Sequence, residues 1–157
     1  MVSWIWSMSM YRRNVAAFIV DENNKILFCH RRDSTSLMKG FQVPQGGIED
    51  GESPEDALSR EIKEELGLTS YRILGKLSSP IRYLWNEKDI YSGSPYVGQE
   101  QIYFMLRISS AEKMQIVSSA DFDRYRWVNI DVLISEVVDY KRPVYRQAYT
   151  ELCHLIL

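Results

Sequence analysis

Cysteine and histidine are scarce in this chain, two of each among 157 residues. Cys29 and Cys153 lie far apart in apolar surroundings and form no CxxC, which argues against a disulfide framework or a thiolate metal centre and suits a reducing cytoplasm. An excess of charge is missing too: 19 Lys and Arg stand against 21 Asp and Glu, for a net charge of −2 and a pI near 5.7. No global basic field draws the chain onto nucleic acid, so DNA is not an expected partner and any such contact has to come from a local patch. Long hydrophobic runs are also lacking. The opening MVSWIWSMSM is apolar, but it has neither a basic n-region nor the length of a membrane span, and no membrane partner is expected. Residues 1–10 read as a short extension ahead of one domain, residues 11–157, whose 45% hydrophobic and 25% charged composition is enough to bury a core. The sequence leaves the oligomeric state open.

Asn14 to Val20 and Lys25 to His30 are short apolar, β-branched runs joined by Asp21 to Asn24, which reads as a hairpin. A polar loop follows, then an extended Phe41 to Val43 that Pro44 keeps out of helical geometry. Ser53 as cap, Pro54 in the first turn, Asp56 at the third position and Gly67 after the last turn define a helix over about 54–66. Strands are expected over 71–77, 101–108 and 125–128, with a long loop before the second of these; helices are expected over 131–138 and 144–155.

The helix over 54–66 and the turn before it carry Glu52, Glu55, Asp56, Glu61, Glu64 and Glu65, offset only by Arg60 and Lys63. At about 100° per residue, and with Glu61 at zero, Glu65 falls near +40° and Glu64 near −60°. Leu58, Ile62 and Leu66 form a core stripe at roughly 60° to 140°, and Asp56, Ser59, Arg60 and Lys63 fill the solvent arc. Carboxylates at i, i+3 and i+4 repel one another, and lysines would ordinarily be interspersed on a merely solvated face. Hard divalent cations such as Mg²⁺ remove that repulsion and take their remaining oxygens from water or phosphate. The helix alone leaves both readings open.

Counting outward, Gly46 is followed by five residues and Glu52, seven more and Arg60-Glu61-Ile62, one and Glu64-Glu65, one and Gly67-Leu68. This resembles the complete Nudix box. The resemblance implies an α/β fold, an α/β/α sandwich around a central mixed β-sheet with a loop-helix-loop catalytic motif. The implied reaction is hydrolysis of a nucleoside diphosphate linked to another group. It implies a cation site for Mg²⁺, with Mn²⁺ or other divalent ions able to substitute, built from Glu61, Glu64, Glu65, the Gly46 carbonyl and Asp121. Arg60 matches a residue that braces the carboxylates, and Glu52 an earlier acidic position behind them or toward an additional metal. Which carboxylate is the general base stays open; Glu61, flanked by the other two on the projection, is the first choice.

Similarity extends over Tyr11 to Val15, Phe41 to Gly47, Val97 to Gln101, Asp121 to Asp123 with Trp127-Val128, and Tyr140 to Tyr145. These stretches are similar to the bacterial RNA pyrophosphohydrolases and the related asymmetric dinucleoside polyphosphate hydrolases. The implied substrate is 5′-triphosphorylated RNA, with Arg12 and Arg32 on phosphate oxygens and Tyr140 stacking a base beside Val138 and Lys141. Two alternatives are a hydrolase of free dinucleoside polyphosphates such as diadenosine tetraphosphate, and an inactive nucleotide-sensing module. Intact Glu61, Glu64 and Glu65 argue against the last. The chain departs from the subfamily in having Phe41 and Val43 where Trp and Phe are usual, a longer loop between Arg32 and Phe41, and Asp121 where Glu is common.

Overall fold

In a computed structural model, residues 10–36, 39–86, 90 and 93–157 are described. Eight strands form one mixed sheet: β1 (Tyr11–Val20), β2 (Ile26–Arg31), β3 (Phe41–Gln42), β4 (Gln45–Gly47), β5 (Arg72–Lys76), β6 (Ile81–Leu84), β7 (Gly98–Arg107) and β8 (Phe122–Val128). Its helices are α1 (Pro54–Leu66), a single turn α2 (Ser110–Lys113), α3 (Ile130–Glu136) and α4 (Arg142–Leu152). Short 3-10 turns occupy Asp139–Lys141 and Cys153–Ile156.

The parallel pair β1 and β7 is the spine, in register from Tyr11 opposite Gly98 to Val20 opposite Arg107. Val15 to Val20 are all buried because both faces of the sheet are covered, which explains a continuous apolar run in place of alternation. Ala16, Phe18 and Val20 join Tyr103 and Met105 in a core with Leu133 of α3 and Val144, Tyr145, Ala148 and Leu152 of α4. Val15, Ala17 and Ile19 join Phe104 and Leu106 in a second core with Ala57, Leu58, Ile62 and Leu66 of α1. The result is the expected α/β/α sandwich.

The hairpin expected between the first two strands is nearly unpaired: β1 and β2 share only Val20 opposite Ile26. Asp21 does close the turn, its Oδ1 accepting from the amides of Asn23 and Lys25. The chains then diverge because β4 takes that edge of β1, pairing Ala16, Val15 and Asn14 with Gln45, Gly46 and Gly47, while Ala17 N–H donates to Pro44. β2 pairs instead with β8, whose start lies at Phe122 and not at 125. β6 was not expected from sequence, since four residues are too few to show a period. The long loop read over 86–98 includes residues 87–89 and 91–92, and the N-terminal extension includes 1–9; these lie outside the described residues.

α1 follows its sequence cues. Ser53 Oγ accepts from the Asp56 amide at 3.1 Å, and Gly67 ends the helix at φ 71°, a conformation only glycine adopts cheaply. Ser53→Ala is expected to cost about 1 kcal/mol, lowering the melting temperature by roughly 2–4 °C for a chain of this size. Thermal unfolding followed by circular dichroism checks this, and an unchanged midpoint would remove Ser53 as the cap.

Candidate active site

Four carboxylates gather round one guanidinium midway along α1. Arg60 Nε lies 2.8 Å from Glu52, its Nη1 lies 2.7 Å from Glu61 and 3.6 Å from Glu64, and its Nη2 donates to the Gly47 carbonyl at 2.8 Å. Glu49 completes the group at 3.9 Å. The projection put Arg60 on the solvent arc, yet its side chain is only 24% exposed, because the guanidinium folds back over the preceding loop. Glu52 also accepts from the Glu49 amide; with the Arg60 bonds, this pulls its pKa down to about 2. Glu52 therefore stands behind the group, fixing Arg60.

Glu65 adjoins that network through the Glu61 carboxylate and makes no ion pair with Arg60 among the described residues. Its residue is 5% exposed, and its Oε1 has no hydrogen-bond partner among the described residues. Burial, with the charges of Glu61, Asp121 and Glu64 adding to it, lifts its pKa to about 9. A cavity of about 190 Å³ opens beside it, lined by Arg31, Asp33, Gln42, Asp121 and Phe122. Among the described residues no three side chains already converge as a metal cage. The buried, unpaired oxygen of a residue that shares its cavity with Asp121 nevertheless fits a hard cation, which is what a desolvated carboxylate with carboxylate neighbours needs. Glu61 also has a raised pKa, from burial first, with Arg60 opposing the rise and Glu64 adding to it.

The glycines Gly46 and Gly47 are explained by what lies against them. A Cβ on Gly46 would collide with the Glu61 carboxylate, and one on Gly47 with the Arg12 guanidinium. One two-residue segment of β4 therefore has the acidic group on one side and Arg12 on the other. Around Arg12, the face of the sheet carries Tyr83 of β6, with Tyr140 at 6.2 Å between ring centroids and Lys141 Nζ at 5.7 Å from the Tyr83 ring. Tyr140 is half-buried, as is Val138, whose carbonyl accepts from the Lys141 amide; the Lys141 residue is buried.

Arg12, Val138, Tyr140 and Lys141 are thus brought to one region, and Gly46, Glu61, Glu64 and Glu65 to another, joined through β4. Arg32 is not brought to Arg12. Its Nε and Nη2 donate to the Ser119 carbonyl and its Nη2 also reaches Phe122, so it braces the loop that carries Asp121. Carbonyls of this loop thus engage the Nε and Nη2 donors of the guanidinium. Phe41 and Val43 are buried in the core, Phe41 against Phe28 and His30. Tyr83 and the buried Gln101 have no role assigned from the sequence, since a strand as short as β6 shows no period and the place of Gln101 depends on pairing across the sheet. A larger cavity, about 460 Å³ between α3 and α4, holds none of these residues.

A mixed sheet between helices, with an acidic helix packed under a glycine pair, is the architecture of phosphoanhydride hydrolases of the Nudix type. A NUDIX domain model matches residues 10–150, and the chain belongs to the Nudix family. It is 37% identical over 154 residues to an RNA pyrophosphohydrolase of Pseudomonas paraeruginosa, with 94% of both chains covered. It is 36% identical over 148 residues to the RNA pyrophosphohydrolase of Halorhodospira halophila, covering 90% of this chain and 80% of that one. Among solved structures, the E. coli dihydroneopterin triphosphate pyrophosphohydrolase matches with a TM-score of 0.70 at 18% identity, over 88% of this chain and 97% of that one. A C. elegans Ap4A hydrolase matches with a TM-score of 0.64 at 15% identity, over 91% of this chain and 98% of that one. At such identities the last two bear on the fold alone.

The Glu65 pKa has a sign that can be tested. The folded state holds a proton that the unfolded chain loses near pH 4.5, so the folded state is favoured at low pH and stability falls as pH rises toward about 9. In a chelator at pH 8, Glu65→Gln is therefore expected to melt above the parent, and the two are expected to converge near pH 4.5. A parent that melts higher at pH 8 would show that Glu65 is not held protonated.

Proposed function

We propose that the protein is a divalent-cation-dependent hydrolase that removes pyrophosphate from the 5′-triphosphate end of RNA. The product is a 5′-monophosphate, and the cleavage would initiate decay of the transcript in the cytoplasm. The observation that carries this reading is the β4 segment, with Glu61 against Gly46 and Arg12 against Gly47. It sets a guanidinium for phosphate oxygens next to carboxylates for a cation and for the attacking water. The curated relatives, aligned over nearly the whole chain, are named for this RNA reaction.

Water attacks a phosphorus of the α–β anhydride, that P–O bond breaks, and pyrophosphate leaves. Glu61 is assigned as acceptor of the water proton: burial raises its pKa, which makes it a better base than an ordinary carboxylate, while Arg60 favours its ionised form. Glu61, Glu64, Glu65, Asp121 and the Gly46 carbonyl would hold Mg²⁺ or Mn²⁺, which when bound neutralises phosphate charge and lowers the pKa of the water. Asp121 has a shorter arm than glutamate and lies on the cavity beside Glu65. Tyr140, next to Tyr83 and flanked by Val138 and Lys141, is assigned to base stacking.

Cleavage of free dinucleoside polyphosphates is the second reading, because it needs the same helix, and the fold neighbour named an Ap4A hydrolase shares the architecture. An inactive sensing module is the third, and the intact carboxylates of α1 weigh against it.

End-labelled triphosphate RNA and diadenosine tetraphosphate, offered separately with Mg²⁺, are expected to give the higher kcat/KM for RNA. Undetectable release from RNA beside rapid dinucleotide cleavage would reverse the ranking. Glu65→Gln is expected to lower kcat on the order of a hundredfold or more in folded protein, and near-normal turnover would remove Glu65 from the site. Tyr140→Ala should raise KM for RNA more than for a free nucleotide; equal effects would count against stacking.

A further inference from the structure

Beside Arg12, three amide side chains cross the sheet in a row. Gln101 of β7, fully buried, reaches over β1: its Nε2 donates to Asn14 Oδ1 at 2.8 Å and to Gln45 Oε1 on β4 at 2.6 Å. At the other end its Oε1 accepts from the Tyr103 hydroxyl at 2.9 Å.

The direction of this chain is decided at its buried end. Tyr103 is 0% exposed, inside a core of apolar side chains, and Gln101 Oε1 accepts its hydroxyl proton. Turning the Gln101 amide over would leave that proton without its acceptor, and a buried unpaired donor is costly. Gln101 therefore presents its NH₂ group toward β1 and β4. Both facing amides must turn their oxygens inward to accept from it, so Gln45 has its own Nε2 hydrogens directed away from Gln101. Gln45 is half-exposed, and by the alternation of a strand it shares the side of β4 on which Gly47 meets Arg12.

We propose that Gln45 donates from Nε2 to a phosphate oxygen of the substrate next to the Arg12 guanidinium, and that Gln101 is a positioning residue that sets the polarity of the Gln45 amide. The proposal rests on the reading of the protein as a phosphoanhydride hydrolase. The two bonds from Gln101 Nε2 also tie β7 to β1 and to β4, which is the purely structural alternative. The two differ in what reversing the relay does. Gln101→Glu keeps the shape but replaces the NH₂ with an acceptor, so that Asn14 and Gln45 must turn their NH₂ groups inward and Gln45 Oε1 faces the phosphates.

The test uses the full chain, with KM for triphosphate RNA and Kd for an α,β-methylene nucleoside triphosphate, which binds without cleavage at the α–β position. Gln45→Ala is expected to weaken both by about tenfold. Gln101→Glu is expected to weaken both at least as much with kcat within about threefold, and to add less than twofold in a Gln45→Ala background. Losses that add in the double variant, or a lower melting temperature with KM and Kd unmoved, overturn the proposal. Where the Glu variant does not fold, Tyr103→Phe removes the proton that sets the direction and lets both amide orientations be populated. It is then expected to weaken Kd about twofold in the parent and not in Gln45→Ala; an equal effect in both backgrounds overturns the relay. Failure of the parent to cleave RNA would sink the RNA reading alone, since Kd for the methylene analogue continues to report on Gln45 and Gln101.

Discussion

Crowding of negative charge on α1 is the constraint from which the rest of the site follows. Arg60 is the counterweight for most of it: a planar guanidinium with five donors can bond Glu52, Glu61 and the Gly47 carbonyl at once, which a lysine could not. Its worth is geometric more than energetic, since partly exposed ion pairs contribute little to stability. What it does is hold the glycine loop and the helix at a fixed distance. Glu65 lies one turn on from Glu61 and interacts with its carboxylate, on the margin of the core stripe. Its desolvation opposes folding, and burial of Leu58, Ile62 and Leu66 on the same helix, at about 1.5–3 kcal/mol for each side chain, offsets it. A helix that carries such an opposing group in its buried part is one whose sequence serves something besides stability.

The glycine pair shows how a backbone can be shaped by the side chains of other elements. Neither Gly46 nor Gly47 has a positive φ, so conformational freedom does not account for them. Their role is space: Glu61 and Arg12 lie where their side chains would be. Because β4 is paired to β1 through Asn14, Val15 and Ala16, the position of Arg12 at the start of β1 and that of Gly47 are coupled by the sheet register. A one-residue slip would exchange the two sides and separate the guanidinium from the carboxylates.

Much of α1 was legible in the sequence because its determinants are local. Ser53, Pro54 and Gly67 mark its ends, and the projection of Leu58, Ile62 and Leu66 gives its buried stripe. The projection also located Glu65 beside that stripe, although not its burial. What local periodicity could not supply is pairing. The turn at Asp21 to Asn24 is real, but the strands it joins find other partners, because β4 and β8 compete for their edges. Arg32 illustrates the same limit for a site: the residue type suits a phosphate, and its sequence gives no sign that the carbonyls of Ser119 and Phe122, 87 and 90 residues away, bond its Nη2. Tyr83 and Gln101 belong to strands whose neighbours are set by long-range register, so their place beside Arg12 has no local signature.

The two faces of the sheet divide the chemistry between them. On the side of α1 lie the carboxylates, whose arrangement concerns the anhydride and is indifferent to what the phosphates are attached to. Toward α4 lie Tyr83, Tyr140 and Lys141 near Arg12, an aromatic and cationic group suited to a base and its phosphates. β4 touches both. A fold organised in this way can exchange one substrate for another by changing the second group without disturbing the first, which is why family membership by itself leaves the substrate open. In this chain the aromatic side is built from two short elements, the 3-10 turn Asp139–Lys141 and the strand β6, which pairs along its length with β7. On the proposed reading, specificity would reside in these two short elements, and catalysis in the capped helix α1 and the glycine pair of β4 packed against it.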